Sequence, residues 1–408
     1  MNRLRIGRSY WLDAFTGRPP RLPSLHGDRA ADIAIVGGGV TGCAAALLFA
    51  RAGARVILLE SQRIGRGSTA ASTALLMQEP DVDFGDLAER YGAGIARRVW
   101  QCSRAAVKTM RAVLAELGAP DLRTLPSLYF TRDPAEARTL RHEAALRKRA
   151  GLPGRWLDAR GVHRMGGLDA AGAILTPGDA QVDPYAACLA LAEGARTAGA
   201  RFYERSEAKH IDGDKGGVRI RLARGTVRAE WAVIATGYAT PAFEPLSARF
   251  RMMNTYVIAT PRLTAARRRA VGLGNVLLWD TARPYHYARW TDDGRLLFGG
   301  VDRPRVARAT RAASLRRRTA DLMDDLADLF PSLAGTTPEY AWEGLFANTP
   351  DGLPYIGRHR RYPRQLFALG YGGNGMTLGF MAAEALVRIA NGTPSADDEL
   401  FSFGRNRR

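Results

Sequence analysis

The feature that most constrains this chain is a glycine run set between a buried strand and a helix. Asp32-Ile-Ala-Ile-Val36 reads as a short apolar strand, Gly37-Gly-Gly-Val-Thr-Gly42 as a tight turn, and Cys43 to Arg51 as a helix closed by Gly53. Arg55-Val-Ile-Leu-Leu-Glu60 supplies a second strand, so a βαβ unit is complete within about 30 residues. The uncharged window from Ile33 to Ala50 is then a strand plus a helix packed in protein, not a membrane span.

Gly37, Gly39 and Gly42 carry the GxGxxG spacing. The first permits the turn, the second lets a pyrophosphate approach the backbone, and the third allows the helix to pack closely on the strand. The helix that follows the turn offers free N–H groups and a partial positive charge to an anion. Glu60, followed by Ser61, ends the second strand about 20 residues on, where a carboxylate accepts a ribose hydroxyl. A glycine turn without a ligand leaves that acid unexplained. A dinucleotide site is predicted, with NAD and FAD both open at this point.

Length and charge limit the rest. At 408 residues the chain has room for two or three domains, and 46% hydrophobic with 24% charged residues excludes disorder. The net charge of +19 comes almost entirely from arginine, since Lys108, Lys148, Lys209 and Lys215 are the lysines. Such a balance attracts polyanions or anionic membranes when clustered, and is neutral for function when spread over solvated faces; the second reading is favoured. Cys43, Cys102 and Cys188 are far apart in sequence and form no CxxC, which indicates neither a disulfide framework nor zinc. A reducing, cytoplasmic location is expected. The basic start from Met1 to Arg8 leads into Ser-Tyr-Trp-Leu-Asp instead of an apolar stretch, against a secretory signal. Neither HExxH nor GxSxG occurs, so metal and serine-nucleophile chemistry have no support.

Along the chain, residues 1–30 read as a surface arm. Apolar residues from Leu87 through Tyr91, Ile95, Val99, Cys102, Ala106, Met110 and Val113 to Leu117 mark one long helix. Helices are also expected at 134–150, 182–200 and from about Ala307, with strands at 127–131, 201–204, 218–222, 226–230, 231–235, 254–260, 276–279, 285–290 and 295–300. Three further segments carry chemistry. Gly65-Arg-Gly-Ser-Thr-Ala-Ala-Ser-Thr73 is a small-residue loop rich in hydroxyls, Ala235-Thr-Gly237 ends a strand, and Thr349 to Gly357 precedes Gly370-Tyr-Gly-Gly-Asn-Gly-Met-Thr377, a glycine turn opening another helix.

Together with the GxGxxG unit, these segments resemble the flavoprotein family of D-amino-acid oxidase, glycine oxidase and sarcosine oxidase. The likeness runs from Tyr10 to Phe403 and is closest to gamma-glutamylputrescine oxidase-type members, which share a Ser-Tyr-Trp element like Ser9-Tyr-Trp11. It implies an α/β, two-domain (α+β) flavoprotein: a Rossmann-like FAD-binding domain from 1–90, 178–243 and 342–408, and an antiparallel-sheet substrate domain from 91–177 and 244–341. By that resemblance, Gly37, Gly39, Val40, Thr41, Gly42, Glu60 and Ser61 hold the ADP half of FAD. Gly67, Ser68, Thr69, Ser72 and Thr73 touch pyrophosphate, ribityl chain and ring, and Ala208, Thr236, Gly237 and Gly344 lie close by. Gly373, Asn374, Gly375, Met376 and Thr377 aim N–H groups at the pyrimidine edge of the flavin, stabilising negative charge there.

The departures are informative. Relatives that bind flavin covalently use a Cys before the Thr-Pro-Asp element; here Gly344-Leu-Phe-Ala-Asn348 stands there, so FAD is expected to be noncovalent. Amino-acid oxidases of the family clamp a carboxylate with arginines where Phe346 and Gly373 align, which disfavours glycine or a simple D-amino acid. Leu297 replaces a lysine associated with oxygen reactivity, leaving the electron acceptor as O2 or another oxidant. For catalysis the candidates are His286, Tyr256 and Glu79, the last read either as a partner for a substrate ammonium or, the favoured alternative, as a plain surface carboxylate. On a strand, Tyr285 and Tyr287 share one face and His286 takes the other, so all three cannot meet a substrate.

The expected activity is FAD-dependent oxidation of a C–N bond in a small-molecule amine or N-substituted amino acid, by hydride transfer to flavin N5 and hydrolysis of the imine. Two competitors stand beside it. One is an oxidase of the transfer RNA-modifying type, drawing on the +19 charge; the other is a flavin-bearing interaction protein without turnover.

Overall fold

The computed structural model describes residues 4–405, so the basic start is seen only from Leu4. The βαβ unit consists of strand Arg29–Val36, helix Val40–Arg51 and strand Val56–Leu59, with Ile33 opposite Val56 in a parallel pair. Arg201–Tyr203 extends this sheet on one side, and Gly225–Gly237 and Tyr362–Leu369 extend it on the other, all parallel. Strands covered on both faces need nearly continuous apolar runs, as in Val56-Ile-Leu-Leu59 and Trp231-Ala-Val-Ile-Ala235. Ile33 and Ile35 face helices Val40–Arg51, Pro184–Thr197 and Gly375–Ala390, while Ala34 faces a second cluster with Phe243, Leu246 and Phe403.

The second sheet has ten strands and is antiparallel except where Arg5–Ile6 meets Tyr340–Asn348 and Leu277–Asp280 meets Arg123–Thr131. Its centre is the ladder of Arg251–Ala259, Leu296–Pro304 and His286–Trp290. Helix Arg311–Leu329 closes one face with Leu315, Leu322 and Leu326. The fold is thus α/β, a Rossmann-like sheet beside a largely antiparallel one. No helix among the described residues is long and apolar enough to cross a membrane.

Several expectations change. The arm lies mostly on the surface, as expected, but is pinned into the core at Tyr10 and Trp11, the latter 2% exposed, because aromatic rings in a basic stretch still seek the core. The long helix is two, Phe84–Tyr91 and Ala93–Glu116, broken where Gly92 takes φ +86°. The strands expected at 226–230 and 231–235 are one, Gly225–Gly237. Strands Gly172–Gln181 and Tyr340–Asn348 were not anticipated; Pro177-Gly178 interrupts the alternation of the first. Cys43 and Cys188, distant in sequence, are buried free thiols with their Sγ atoms 3.6 Å apart.

Candidate active site

A cavity of about 630 Å³ runs from the glycine turn to the second sheet. At its near end the turn is packed so closely that side chains have no room. A Cβ on Gly37 would stand 2.5 Å from the carbonyl oxygen of Ala235, and one on Gly39 3.1 Å from Thr69 Oγ1. Glu60 is oriented by backbone: Gly38 N–H donates to its Oε2 at 2.8 Å and Gln62 N–H to its Oε1 at 2.7 Å. The carboxylate therefore stands ready for a diol.

The 65–73 loop crosses the start of helix Val40–Arg51, where Thr69 Oγ1 accepts Val40 N–H at 3.0 Å. The N-terminal arm clamps this loop from behind. Ser9 Oγ donates to the Ala70 carbonyl at 2.5 Å and Trp11 Nε1 to the Ser72 carbonyl at 2.8 Å. From the other side Ser68 Oγ donates to the Leu345 carbonyl and Trp342 Nε1 to the Ala71 carbonyl. The Ser-Tyr-Trp element is thus a support for the loop.

Helix Gly375–Ala390 presents its N-terminus to the same cavity with no side-chain cap from Asn374. Asn374 Nδ2 instead donates to the carbonyls of Met77 and Glu79, leaving its Oδ1 without a partner. Two helix N-termini, glycines that exclude Cβ atoms, a fixed acid and an orphaned acceptor fit an anionic dinucleotide extended across the cavity.

The far end is built by Glu79, Asp81, Thr255, Trp279, Tyr285, Tyr287 and Phe346. Tyr287 Oη bonds Thr255 Oγ1 at 2.8 Å. Asp81 Oδ2 accepts Gly373 N–H at 2.7 Å, and its carboxylate stays exposed at the cavity wall. Glu79 is 2% exposed, not the surface carboxylate that a loop position favours. Its Oε1 accepts Thr176 Oγ1 at 2.6 Å and faces Arg147 Nη1 at 3.4 Å.

Of the residues read from the sequence, Gly37, Gly39, Val40, Thr41, Glu60, Ser61, Gly67, Ser68, Thr69, Ser72, Thr73, Ala208, Thr236, Gly237, Gly344, Gly373, Asn374, Gly375 and Met376 line the cavity. Gly42 and Thr377 stand behind that lining, the first against the Gly37 carbonyl and the second donating to the Met77 carbonyl at 3.1 Å.

Two catalytic candidates are corrected. Tyr256 is buried in the opposite cluster, its Oη bonded to Ser314 Oγ at 2.7 Å. His286 also turns away, held between Asp280 at 2.8 Å and Asp325 at 3.1 Å and stacked on Phe298. Burial lowers its pKa, but the two aspartates outweigh this and hold it raised. The cause is strand alternation: placing Tyr285 and Tyr287 in the cavity puts His286 on the other face. Sequence reasoning missed Asp81 and Trp279. The signal for Asp81 was proximity to Glu79 after a loop already placed on the cofactor.

A family model described as FAD dependent oxidoreductase (DAO) matches residues 32–389. Glycine oxidase of Bacillus licheniformis is 27% identical over 387 residues, covering 92% of this chain and 97% of its own. Gamma-glutamylputrescine oxidoreductase of Escherichia coli (strain K12) is 27% identical over 373 residues, 90% of this chain and 85% of its own. Among solved structures, glycine oxidase from Geobacillus kaustophilus has a TM-score of 0.76 at 24% identity, over 91% of this chain and 96% of that one, a likeness of fold.

Proposed function

The chain belongs to the DAO family of FAD-dependent oxidoreductases, and on that premise we propose that it oxidises the C–N bond of an amine or N-substituted amino acid. The observation that carries this reading is the single cavity joining the dinucleotide cradle at Gly37 and Glu60 to a far end walled by Trp279, Tyr285, Tyr287 and Phe346. Two relatives, a glycine oxidase and a gamma-glutamylputrescine oxidoreductase, are named for redox chemistry on nitrogen-bearing substrates, which supports this reading. FAD, when bound, supplies the hydride acceptor.

The side chains do the rest. Glu60 would hold the ribose, and Ser68, Thr69, Ser72 and Thr73 the central chain of the cofactor. The N-terminus of helix Gly375–Ala390 would place partial positive charge where the reduced ring becomes negative. The four aromatic rings exclude water from the reacting carbon. A substrate amine must shed its proton before hydride leaves its neighbouring carbon, and Asp81, lining the cavity beside Gly373, is placed to take that proton. The three cysteines lie outside the cavity lining, which supports noncovalent FAD.

Mixing the holoenzyme anaerobically with primary and secondary amines and N-substituted amino acids tests the reading. Loss of the visible flavin absorbance with an amine is expected. Loss with a hydroxy acid and with no amine would overturn it.

A further inference from the structure

The far end of the cavity is acidic as well as aromatic. Glu79 and Asp81 line it with Trp279, Tyr285, Tyr287 and Phe346. The lining residues of positive charge are Arg63, Arg66 and Lys209, from the segments that carry Glu60 and Ala208 on the dinucleotide side. Among the described residues, no arginine or lysine lines the far end to pair with a carboxylate.

Glu79 is the unbalanced group. Its Oε2 is buried and has no hydrogen-bond partner among the described residues. Arg147 reaches Oε1 only at 3.4 Å, because the same guanidinium bonds Glu143 at 2.6 Å and Asp83 at 3.2 Å. Three carboxylates share one cation there. The other nearby guanidinium, Arg283, lies outside the cavity lining and acts on Tyr129, Asp83 and Asp81. The carboxyl of Asp179 is pushed well up by burial and by its nearness to Glu79. A buried carboxylate with an unpartnered oxygen lacks the full pairing that buried charge requires. A cation entering from the cavity completes it, and the aromatic faces around it favour the same sign.

The reacting nitrogen is not that cation, since it must be neutral when hydride leaves the carbon beside it. Resting on the amine-oxidation reading above, we propose that the substrate is an aliphatic amine with a second nitrogen, bound in its protonated form by Glu79, and with no carboxylate on the reacting carbon. One nitrogen lies beside the reacting carbon, and the other is an ammonium anchor.

Anaerobic reduction of the holoenzyme by 1,4-diaminobutane, butylamine, glycine and sarcosine tests this. The diamine should reduce bound flavin at least about tenfold more efficiently than the monoamine, the gain expected of a desolvated cation site. Both amino acids should be slower still. In Glu79→Gln, with flavin content and melting temperature as controls for folding, that preference should collapse to near parity. Should the variant fail to retain FAD, competition on the wild-type enzyme decides: tetramethylammonium should protect the flavin from reduction by the diamine and acetate should not. Equal efficiency of diamine and monoamine, faster reduction by sarcosine or glycine, or competition by acetate alone would overturn the proposal and leave amine oxidation standing. Reduction by no amine would overturn both.

Discussion

Gly42 lies so close to the carbonyl oxygen of Gly37 that a Cβ on residue 42 would stand 1.9 Å from it. The obstacle is backbone, which cannot swing aside as a side chain can, so the turn itself would have to move. Gly42→Ala should therefore lower FAD affinity by about 10- to 100-fold, the equivalent of a typical overpacking cost. Flavin absorbance per purified chain, followed during titration with FAD, checks this. Unchanged occupancy would show that the turn is not the cofactor cradle.

Glu60 is held by two backbone N–H groups and keeps further acceptor capacity for the ribose. Replacement by Ala should weaken FAD about 10- to 100-fold through loss of charge-assisted hydrogen bonds. Titrating apoprotein with FAD gives the number directly, and Glu60→Gln should fall between the two.

Gly373 faces the substrate end. A Cβ there would approach Tyr285 Oη to 2.6 Å and Asp81 Oδ1 to 3.2 Å. Gly373→Ala should displace both groups and reduce kcat/KM by about 10- to 100-fold, as small misplacements at a reacting centre do. The flavin content should fall far less than the turnover.

Glu384, on helix Gly375–Ala390, has its carboxyl pushed up to about 7 by burial. A carboxyl raised in the folded state stabilises the fold at pH below its ordinary value of 4.5, and that contribution is lost as pH rises through about 7. Glu384→Gln removes the cost of ionising it. The variant should melt higher than wild type at about pH 8, by about 1 °C per kcal/mol recovered in a chain of this length. The advantage should shrink at about pH 5. A constant difference across that range would assign the effect to packing.

The cofactor half of the site was legible because it is local. Gly37 to Gly42, Glu60 and the 65–73 loop fall within a stretch of fewer than about 40 residues, and each position has a backbone reason that a sequence displays. The substrate end was not. Glu79 and Asp81 come from a loop, Thr255, Trp279 and Tyr287 from three different strands, and only the pairing of those strands brings them together. Alternation did reveal that Tyr285 and Tyr287 oppose His286, but not which face meets the cavity. The arm's buried anchor was hidden for another reason: Tyr10 and Trp11 sit among arginines and prolines, with no periodicity to mark them as core.

The most direct test of C–N oxidation at this cavity is the rate of anaerobic flavin reduction by an amine deuterated at the carbon beside nitrogen, compared with the unlabelled amine. Breakage of that C–H bond in the reductive step predicts a several-fold slower rate with deuterium and one carbonyl product released per flavin reduced. Equal rates with no carbonyl product, or reduction by hydroxy acids and by no amine, would contradict it.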